Sequence, residues 1–222
     1  MSINGMRKQM KYMLPMVVIV GALVMTAVLP LVVSGAVGDK QADVKQVVKD
    51  DVAVVLVGHG VPPSDFPRNE LRAAIKALNE MTGHDHGDGG EDHEHDAEGE
   101  VLAKKLLNWP MTRENNAYYF GVKDIADVLR SRSGLPVFIG FNEFCGPTTG
   151  DAIDTAVKQG YTHVIVTTVM MTPGGGHSER DILNSMKRVE ENYPHVKLTY
   201  AWPFPVERVA GVLHEQVMDS MN

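Results

Sequence analysis

Two glycine–histidine loops, each directly after a run of apolar residues, constrain the fold of this chain most. Gly58-His59-Gly60 follows the apolar run 52–57, and Gly174-Gly175-Gly176-His177 follows the run 164–171. Runs this rich in β-branched residues are typical of buried strands in a parallel sheet. Open parallel sheets bind ligands in the loops that leave the carboxyl ends of their strands. We therefore predict both histidines at one edge of one sheet.

Strand and helix patterns alternate through most of the chain. Strands are predicted at 52–57, 137–141, 164–171 and 197–201, and helices with an apolar stripe are predicted after 65, at 119–132, at 150–159, after 178 and at 205–219. This alternation predicts an α/β fold, a parallel sheet with helices on both faces. Because crossovers between parallel strands are right-handed, the motif loops reach the same sheet edge.

Two of these helix starts carry capping signals. Ser64 or Asp65 is predicted to cap the helix that contains Leu71. Ser178 is predicted to start a later helix, with Asp181 three residues on as a variant of the capping box.

Residues 82–100 interrupt the alternation. Positions 84–100 hold eight acidic residues and no basic one. Because the segment has almost nothing apolar to bury, we predict a disordered insertion in the folded domain. Its histidines leave two interpretations open, weak metal capture or a solvated acidic loop. These auxiliary candidate ligands are His84, His86, His93 and His95.

The first 36 residues indicate export or membrane anchoring. Three basic residues precede the uncharged stretch 13–33, whose 21 residues are enough to cross a hydrocarbon core of ~30 Å. The alternative is a signal peptide cleaved after Ala36. We favour an uncleaved anchor because the apolar stretch exceeds the roughly 7–15 residues of a signal-peptide core. Either interpretation places the domain 52–222, beyond a tether at 37–51, on the extracytoplasmic side, periplasmic where the cell has a periplasm.

The composition and motifs of the chain exclude other classes of protein. The formal net charge is −7 and no basic arm exists, so we expect no nucleic-acid partner. Neither a Walker lysine pattern nor Gly-x-Gly-x-x-Gly occurs, which argues against a nucleotide site. The single cysteine, Cys145, cannot form an internal disulfide. We favour a small buried thiol over a metal ligand for it.

Three predicted strand-end loops each offer one candidate ligand: His59, Glu143 and His177. Two imidazoles and a carboxylate suit a divalent first-row transition metal. Three protein ligands leave coordination positions open for an incoming ligand. Each residue alone has an ordinary interpretation, such as a backbone cap, a loop carboxylate or a surface histidine. Their recurrence at successive strand ends favours one shared metal site.

Three segments of the chain resemble the CbiX/SirB sirohydrochlorin chelatases, the class II chelatases of siroheme and cobalamin biosynthesis. They are residues 56–60, 140–144 and 172–182, and the resemblance covers 52–218 apart from the insertion. It implies a chelatase-like α/β fold and a lyase that inserts Co²⁺, Fe²⁺ or Ni²⁺ into sirohydrochlorin or a related tetrapyrrole without ATP. The metal is then a substrate, and no organic cofactor is expected. The resemblance also implies a short, single-unit form that pairs as a homodimer.

In that family His59, Glu143 and His177 match metal-contacting positions. Because two pyrrole protons must leave before a metal enters the ring, we assign His59 as main ligand and base. His177 lies opposite, and Glu143 assists as ligand or proton acceptor. A non-catalytic, exported carrier of metal or tetrapyrrole is the alternative function.

Four other residues near the motifs have two interpretations each. A tetrapyrrole is a broad apolar disc with carboxylates on its rim. Phe141, Met170 and Met171 either line a pocket for this disc or belong to the core. Arg180 either pairs with a rim carboxylate or is a solvated residue at a helix start, which we favour.

Overall fold

The central strand β1 (Val52–Gly58) is buried along its whole length, as its unbroken apolar sequence predicts. In this computed structural model, which describes residues 49–82 and 97–221, β1 has a parallel neighbour on each side. The other strands are β2 (Val137–Phe141), β3 (His163–Thr168) and β4 (Lys197–Tyr200). The sheet order is β2-β1-β3-β4, and all pairs are parallel. The carboxyl ends of β1, β2 and β3 therefore lie side by side.

In the described part of the chain, six α-helices connect or flank these strands. They are α1 (Arg68–Thr82), α2 (Ala97–Leu107), α3 (Ala117–Ser133), α4 (Thr149–Lys158), α5 (Ile182–Asn192) and α6 (Val206–Asp219). A 3₁₀ turn (Lys49–Asp51) precedes β1, and a single π-helical turn (His177–Asp181) precedes α5.

Helices cover both faces of the sheet. Alternate residues of β1 point to opposite sides, so Val55 and Val57 join the core formed with α4 and α5. Val54 and Leu56 join the core under α3. Helices α1 and α2 pack mainly against each other, around Leu106 and neighbouring apolar residues. The predicted α/β fold is confirmed.

The buried core gives a direct stability test. Ile153 on α4 is fully buried, whereas Ile125 on α3 is 50% exposed. We expect Ile153→Ala to lower the free energy of unfolding by about 2–5 kcal/mol, because it removes buried methyl groups and leaves a cavity. The control Ile125→Ala is expected to change it by less than about 0.5 kcal/mol. Urea unfolding measures both, and equal effects would contradict this packing.

Two predicted boundaries were wrong. The predicted strand 164–171 ends at Thr168, because the Thr168 hydroxyl donates to the Val57 carbonyl and accepts the Met170 N–H, which turns the chain. Positions 97–100, assigned to the disordered insertion, form the first turn of α2. Acidic residues there face the positive end of the helix dipole, which stabilises the turn. The rest of the predicted insertion from residue 83, including His84, His86, His93 and His95, lies outside the described residues.

The predicted cap of α1 was also wrong. The helix begins at Arg68, and neither Ser64 nor Asp65 caps it. The Asp65 carboxylate instead accepts the Asn115 amide at 3.1 Å and the Trp109 indole N–H at 2.9 Å. The Asn115 hydrogen bond is the main reason why the pKa of Asp65 is lowered. A short polar residue before a helix thus serves here to tie two loops together.

The membrane prediction concerns residues that the structure does not describe. Within 49–82 and 97–221, no helix has the length and apolar character needed to cross a membrane. The predicted anchor at 13–33, and the tether up to residue 48, lie outside the described residues.

Candidate metal centre

His59 follows β1 directly, and local hydrogen bonds orient its ring. Its Nδ1 lies 2.8 Å from the Gly60 carbonyl oxygen, which can only accept, so Nδ1 carries the proton. The Nε2 lone pair is then free to bind a metal. The His59 backbone N–H donates to the Tyr118 hydroxyl at 3.0 Å, which ties the loop to α3. The His59 side chain remains 39% exposed.

Glu143 is held against the His59 loop by backbone pairing that continues past the strand ends. The Asn142 N–H donates to the Gly58 carbonyl at 3.1 Å, and the Glu143 N–H donates to the His59 carbonyl at 2.9 Å. Gly60 makes this close approach possible, since its φ is +98° and a Cβ there would lie 1.8 Å from the Glu143 carbonyl oxygen. The Glu143 side chain is only 7% exposed.

Gly60 therefore offers a test of the loop geometry. We expect Gly60→Ala to weaken metal binding at least about tenfold, because the added methyl group separates the His59 and Glu143 loops. Gly160→Ala is the matched control: Gly160 has the same φ of +98°, but a Cβ there meets nothing within 4 Å. Calorimetric titration with Co²⁺ measures both variants. If both lose affinity equally, the close approach at Gly60 does not matter.

His177 opens a π-helical turn, and its ring is held by a buried carboxylate. Its Nδ1 lies 2.8 Å from Asp181 Oδ2, and the Asp181 side chain is 3% exposed. The carboxylate accepts the Nδ1 proton, which leaves Nε2 as the metal-binding nitrogen. Arg180 donates from Nε to the other Asp181 oxygen at 3.1 Å. Single π-helical turns are frequent at functional sites because they re-aim side chains.

This arrangement corrects the predicted capping box. Ser178 lies inside the π turn and its hydroxyl donates to the Gly175 carbonyl at 3.1 Å, so Ser178 is not the residue that caps the helix. Asp181 is the residue before α5 and makes no side-chain capping bond to that helix. Asp181 lies four residues after His177 in the π turn, and its carboxylate contacts the His177 ring. The carboxylate thus orients a side chain and does not cap a helix.

The structure brings the three predicted residues together. His59 Nε2 lies 4.0 Å from one Glu143 carboxylate oxygen, and His177 Nε2 lies 3.8 Å from the other. The imidazole rings meet edge to face, with centroids 4.5 Å apart. One ligand atom from each residue lies within 4.8 Å of the others, and no further group of this kind occurs in 49–82 or 97–221. Their role as metal ligands remains a prediction.

The donor spacing is close to what a first-row divalent metal needs. Ligands about 2.1 Å from a tetrahedral ion lie roughly 3.4 Å apart. The distances of 3.8 and 4.0 Å are to different oxygens of Glu143. With one donor atom from each residue the three lie within 4.8 Å of one another, so the side chains move inward when they bind one ion. Because His59 is 39% and His177 21% exposed, the site is open on the histidine side. A large ligand can approach there while Glu143 closes the floor.

The other predicted residues divide between core and site. Phe141 is fully buried, so its core interpretation is confirmed. Met170 packs against the core under α4 and α5, and Met171 is 39% exposed. Arg180 is largely exposed, as predicted, but it also holds Asp181.

The predicted buried thiol is confirmed. Cys145 is fully buried, donates to the Val61 carbonyl at 3.2 Å and accepts the Asn116 amide at 3.5 Å. Burial raises the pKa of this thiol. Cys145 is therefore a neutral core residue beside the site.

The supporting roles of three residues were missed at the level of sequence: Tyr118, Asn142 and Asp181. Asn142 is buried, accepts the Thr149 hydroxyl at 2.9 Å and reaches the His177 carbonyl at 3.4 Å. Only the role of Asp181 has a signal in the sequence. It follows His177 by four positions, and residues four apart share one side of a helix. Tyr118 and Asn142 come from tertiary packing.

Part of the chain is similar in sequence to a known protein family. Residues 113–220 match the CbiX family. Glu143 and His177 lie inside the matched segment, and His59 lies outside it. The second half of the chain is thus CbiX-like in sequence.

Two curated relatives carry the name sirohydrochlorin ferrochelatase. The protein from Priestia megaterium is 28% identical over 100 residues, which cover 43% of this chain and 37% of the relative. The protein from Bacillus subtilis (strain 168) is 30% identical over 82 residues, which cover 36% of this chain and 31% of the relative. The chain thus spans about a third of the length of these relatives.

Two solved structures are also similar in part. The sirohydrochlorin chelatase SirB from Bacillus subtilis subspecies spizizenii, in complex with cobalt, is 19% identical with a TM-score of 0.38, covering 76% of this chain and 50% of SirB. SirB from Bacillus subtilis with Fe³⁺ is 21% identical with a TM-score of 0.36, and the match covers 74% of this chain and 45% of that SirB chain.

Proposed function

We propose that this protein is a chelatase that inserts a divalent metal ion into sirohydrochlorin or a closely related tetrapyrrole without ATP. One observation carries the proposal: two oriented imidazoles and a buried carboxylate converge at the open edge of a parallel sheet. The CbiX match and the two sirohydrochlorin ferrochelatases support the choice of a tetrapyrrole as substrate.

The residues supply the two things that metal insertion needs. The site holds a metal ion through His59, Glu143 and His177 with positions open to the ring nitrogens. As the metal bonds to the ring, two N–H protons leave the macrocycle, so that one divalent ion replaces two protons. His59 is the most exposed of the three groups and meets the ring first. As its bond to the metal breaks, its Nε2 accepts a proton, and Glu143 receives the second at its buried carboxylate.

The incomplete coordination of the metal favours transfer over storage. Gly60 and Asp181 orient the two rings before a metal arrives, so little reorganisation accompanies binding. Three protein ligands leave the metal incompletely coordinated, and the four nitrogens of the macrocycle compete well for it. We infer that the ion is held loosely enough to leave for the ring.

Cobalt, iron and nickel are the candidate metals, because this donor set accepts all three. The names of the curated relatives support iron. A comparison of insertion rates at equal free metal concentration selects among the ions. The metal is a substrate in this proposal, and no organic cofactor takes part.

We further propose that residues 13–33 anchor the protein and that the domain acts on the extracytoplasmic side of the membrane as a homodimer. The apolar stretch behind basic residues supports the anchor.

We also propose that the histidines of the acidic segment capture scarce metal. Deletion of 84–98 is then expected to slow turnover at low metal concentration only, and a loss at saturating metal would contradict capture.

Metal insertion by the purified protein tests the central proposal. The full-length protein is incubated anaerobically with sirohydrochlorin and Co²⁺, Fe²⁺ or Ni²⁺ without ATP, and absorbance follows metal insertion. We expect several turnovers per protein molecule with at least one metal. Binding without turnover for all three metals, while a known chelatase is active in the same assay, would favour the carrier function instead.

A further inference from the structure

The loop after β2 contains a strained turn centred on Phe144. The Cys145 N–H donates to the Glu143 carbonyl at 2.7 Å, so that residues 143–145 form a γ-turn. Phe144 has a φ of +61°, which makes this the rarer and more strained form of the γ-turn. In the part of the chain that the structure describes, every other residue with a positive φ is a glycine. A bulky side chain in this conformation is a clear outlier.

The turn keeps its conformation because the residues on both sides of Phe144 are fixed. The Glu143 N–H donates to the His59 carbonyl at 2.9 Å, and the Cys145 thiol donates to the Val61 carbonyl at 3.2 Å. Neither bond involves the Phe144 side chain. Glycine would adopt the same backbone without the steric strain of a Cβ, so the turn itself gives no reason for a phenylalanine. Strained residues of this kind cluster at functional sites.

The Phe144 ring flanks the candidate metal centre. Its centroid lies 6.1 Å from the centroid of the His59 ring, and the two ring planes are tilted by 34°. The side chain packs against the core under α3 and is only partly buried. Phe141, three residues earlier, is fully buried in the same core. Of these two phenylalanines, only Phe144 can be reached by an incoming ligand.

A macrocycle that takes a metal from this centre comes to lie over Phe144. In the proposed function the metal is bound at His59 Nε2, on the side of the site where the histidines are exposed. A tetrapyrrole disc is much wider than the three-ligand group, so one face of the disc also covers the side chains beside His59. Phe144 offers a flat apolar surface there, and aromatic rings attract one another at centroid distances of about 4.5–7 Å. The ring therefore suits a planar conjugated ligand.

We propose that Phe144 is a substrate-contact residue, whose ring packs against one face of the tetrapyrrole and holds it over the metal. The identity of the ligand rests on the proposed function, but the contact concerns binding of the macrocycle and not transfer of the metal. Loss of the ring should therefore weaken macrocycle binding. Because a phenyl ring offers no ligand atom, Co²⁺ affinity is expected to change less than about twofold.

Binding of metal-free sirohydrochlorin tests this contact. In the full-length protein, Phe144→Leu keeps an apolar side chain and removes the aromatic ring. We expect it to raise the dissociation constant for sirohydrochlorin, measured by absorbance titration, about 3–10-fold, which is what an aromatic pair contributes beyond its buried area. Phe138→Leu is the matched control, since Phe138 is also partly buried but lies near the amino end of β2. Equal effects of the two variants would overturn the contact.

Glycine and alanine variants separate the ring from the turn. Phe144→Gly removes both the ring and the strain, whereas Phe144→Ala removes the ring and keeps a Cβ at a positive φ. Each is expected to raise the sirohydrochlorin dissociation constant at least about tenfold, because an apolar side chain is lost from the contact. The glycine variant should unfold at the higher urea concentration of the two. A large loss of Co²⁺ affinity in Phe144→Gly would show that the side chain positions Glu143 instead, and would overturn the proposal.

The same samples distinguish the contact from the chelatase activity. Sirohydrochlorin binding that depends on Phe144, without metal insertion by the unaltered protein, would support the contact and contradict the chelatase. Metal insertion together with an unchanged sirohydrochlorin dissociation constant in Phe144→Leu and Phe144→Gly would overturn the contact and leave the chelatase standing. No binding of sirohydrochlorin by the unaltered protein would overturn both.

Discussion

The variant His177→Ala is expected to lower kcat/KM for metal insertion by more than about 100-fold. It removes one of three converging donors, whose Nε2 lies 3.8 Å from the Glu143 carboxylate. Loss of a residue that only supports a metal ligand already costs 10–100-fold in affinity or activity, so that loss of the ligand itself is expected to exceed this range. Anaerobic insertion kinetics and Co²⁺ titration measure the effect.

His163→Ala is the matched control for this variant. His163 is a partly buried imidazole at the start of β3, bonded through Nε2 to the Thr199 hydroxyl at 3.0 Å. It lies at the amino end of its strand, away from the candidate site. We expect metal affinity to change less than about twofold. If His163→Ala and His177→Ala lose activity alike, the loss reflects general damage to the fold and the assigned site is wrong.

The variant Asp181→Asn is expected to weaken metal binding about 10–100-fold. The Asp181 carboxylate accepts the Nδ1 proton of His177 at 2.8 Å and thereby turns Nε2 toward Glu143. An asparagine amide that presents its N–H₂ to the ring would instead favour a proton on Nε2, which blocks the metal-binding lone pair. Asp181 thus acts through His177 as a positioning residue.

Two controls separate this role from a structural one. Asp154→Asn removes a carboxylate that accepts the Tyr193 hydroxyl at 2.6 Å on α4, outside the site, and is expected to leave metal affinity unchanged. In a His177→Ala background, Asp181→Asn should cost nothing further, since its effect passes through the ring. Independent, additive losses from the two substitutions would contradict the positioning role. NMR of the imidazole nitrogens reports the tautomer of His177 directly.

Local patterns in the sequence were sufficient for the sheet and for the three candidate ligands. The run 52–57 is apolar without interruption because β1 is covered on both sides, and 137–141 forms β2 with the predicted bounds. Glycine next to histidine at a strand end is likewise a local signal. Right-handed crossovers then bring the loops together without any knowledge of side-chain packing.

The remaining features depend on tertiary contacts that no local pattern records. Asp181 stands three residues after Ser178 and four after His177, so the spacing fits both a capping box and a contact with the His177 ring. The structure shows the contact with the ring. The acidic residues at 98 and 100 are equally compatible with a solvated loop and with the first turn of α2. Tyr118 lies at the start of α3, a helix that was predicted only from its apolar stripe, and nothing in that stripe indicates a contact with the His59 backbone.

Cobalt X-ray absorption on the loaded protein tests the metal-transfer site most directly. For the unaltered protein we expect two imidazole ligands and oxygen donors, and one imidazole fewer in each of His59→Ala and His177→Ala. Addition of sirohydrochlorin should remove the imidazole signal and leave cobalt bound by the four ring nitrogens. Cobalt without imidazole ligands, or cobalt that keeps them in the presence of the macrocycle, would contradict a transfer site built from His59, Glu143 and His177.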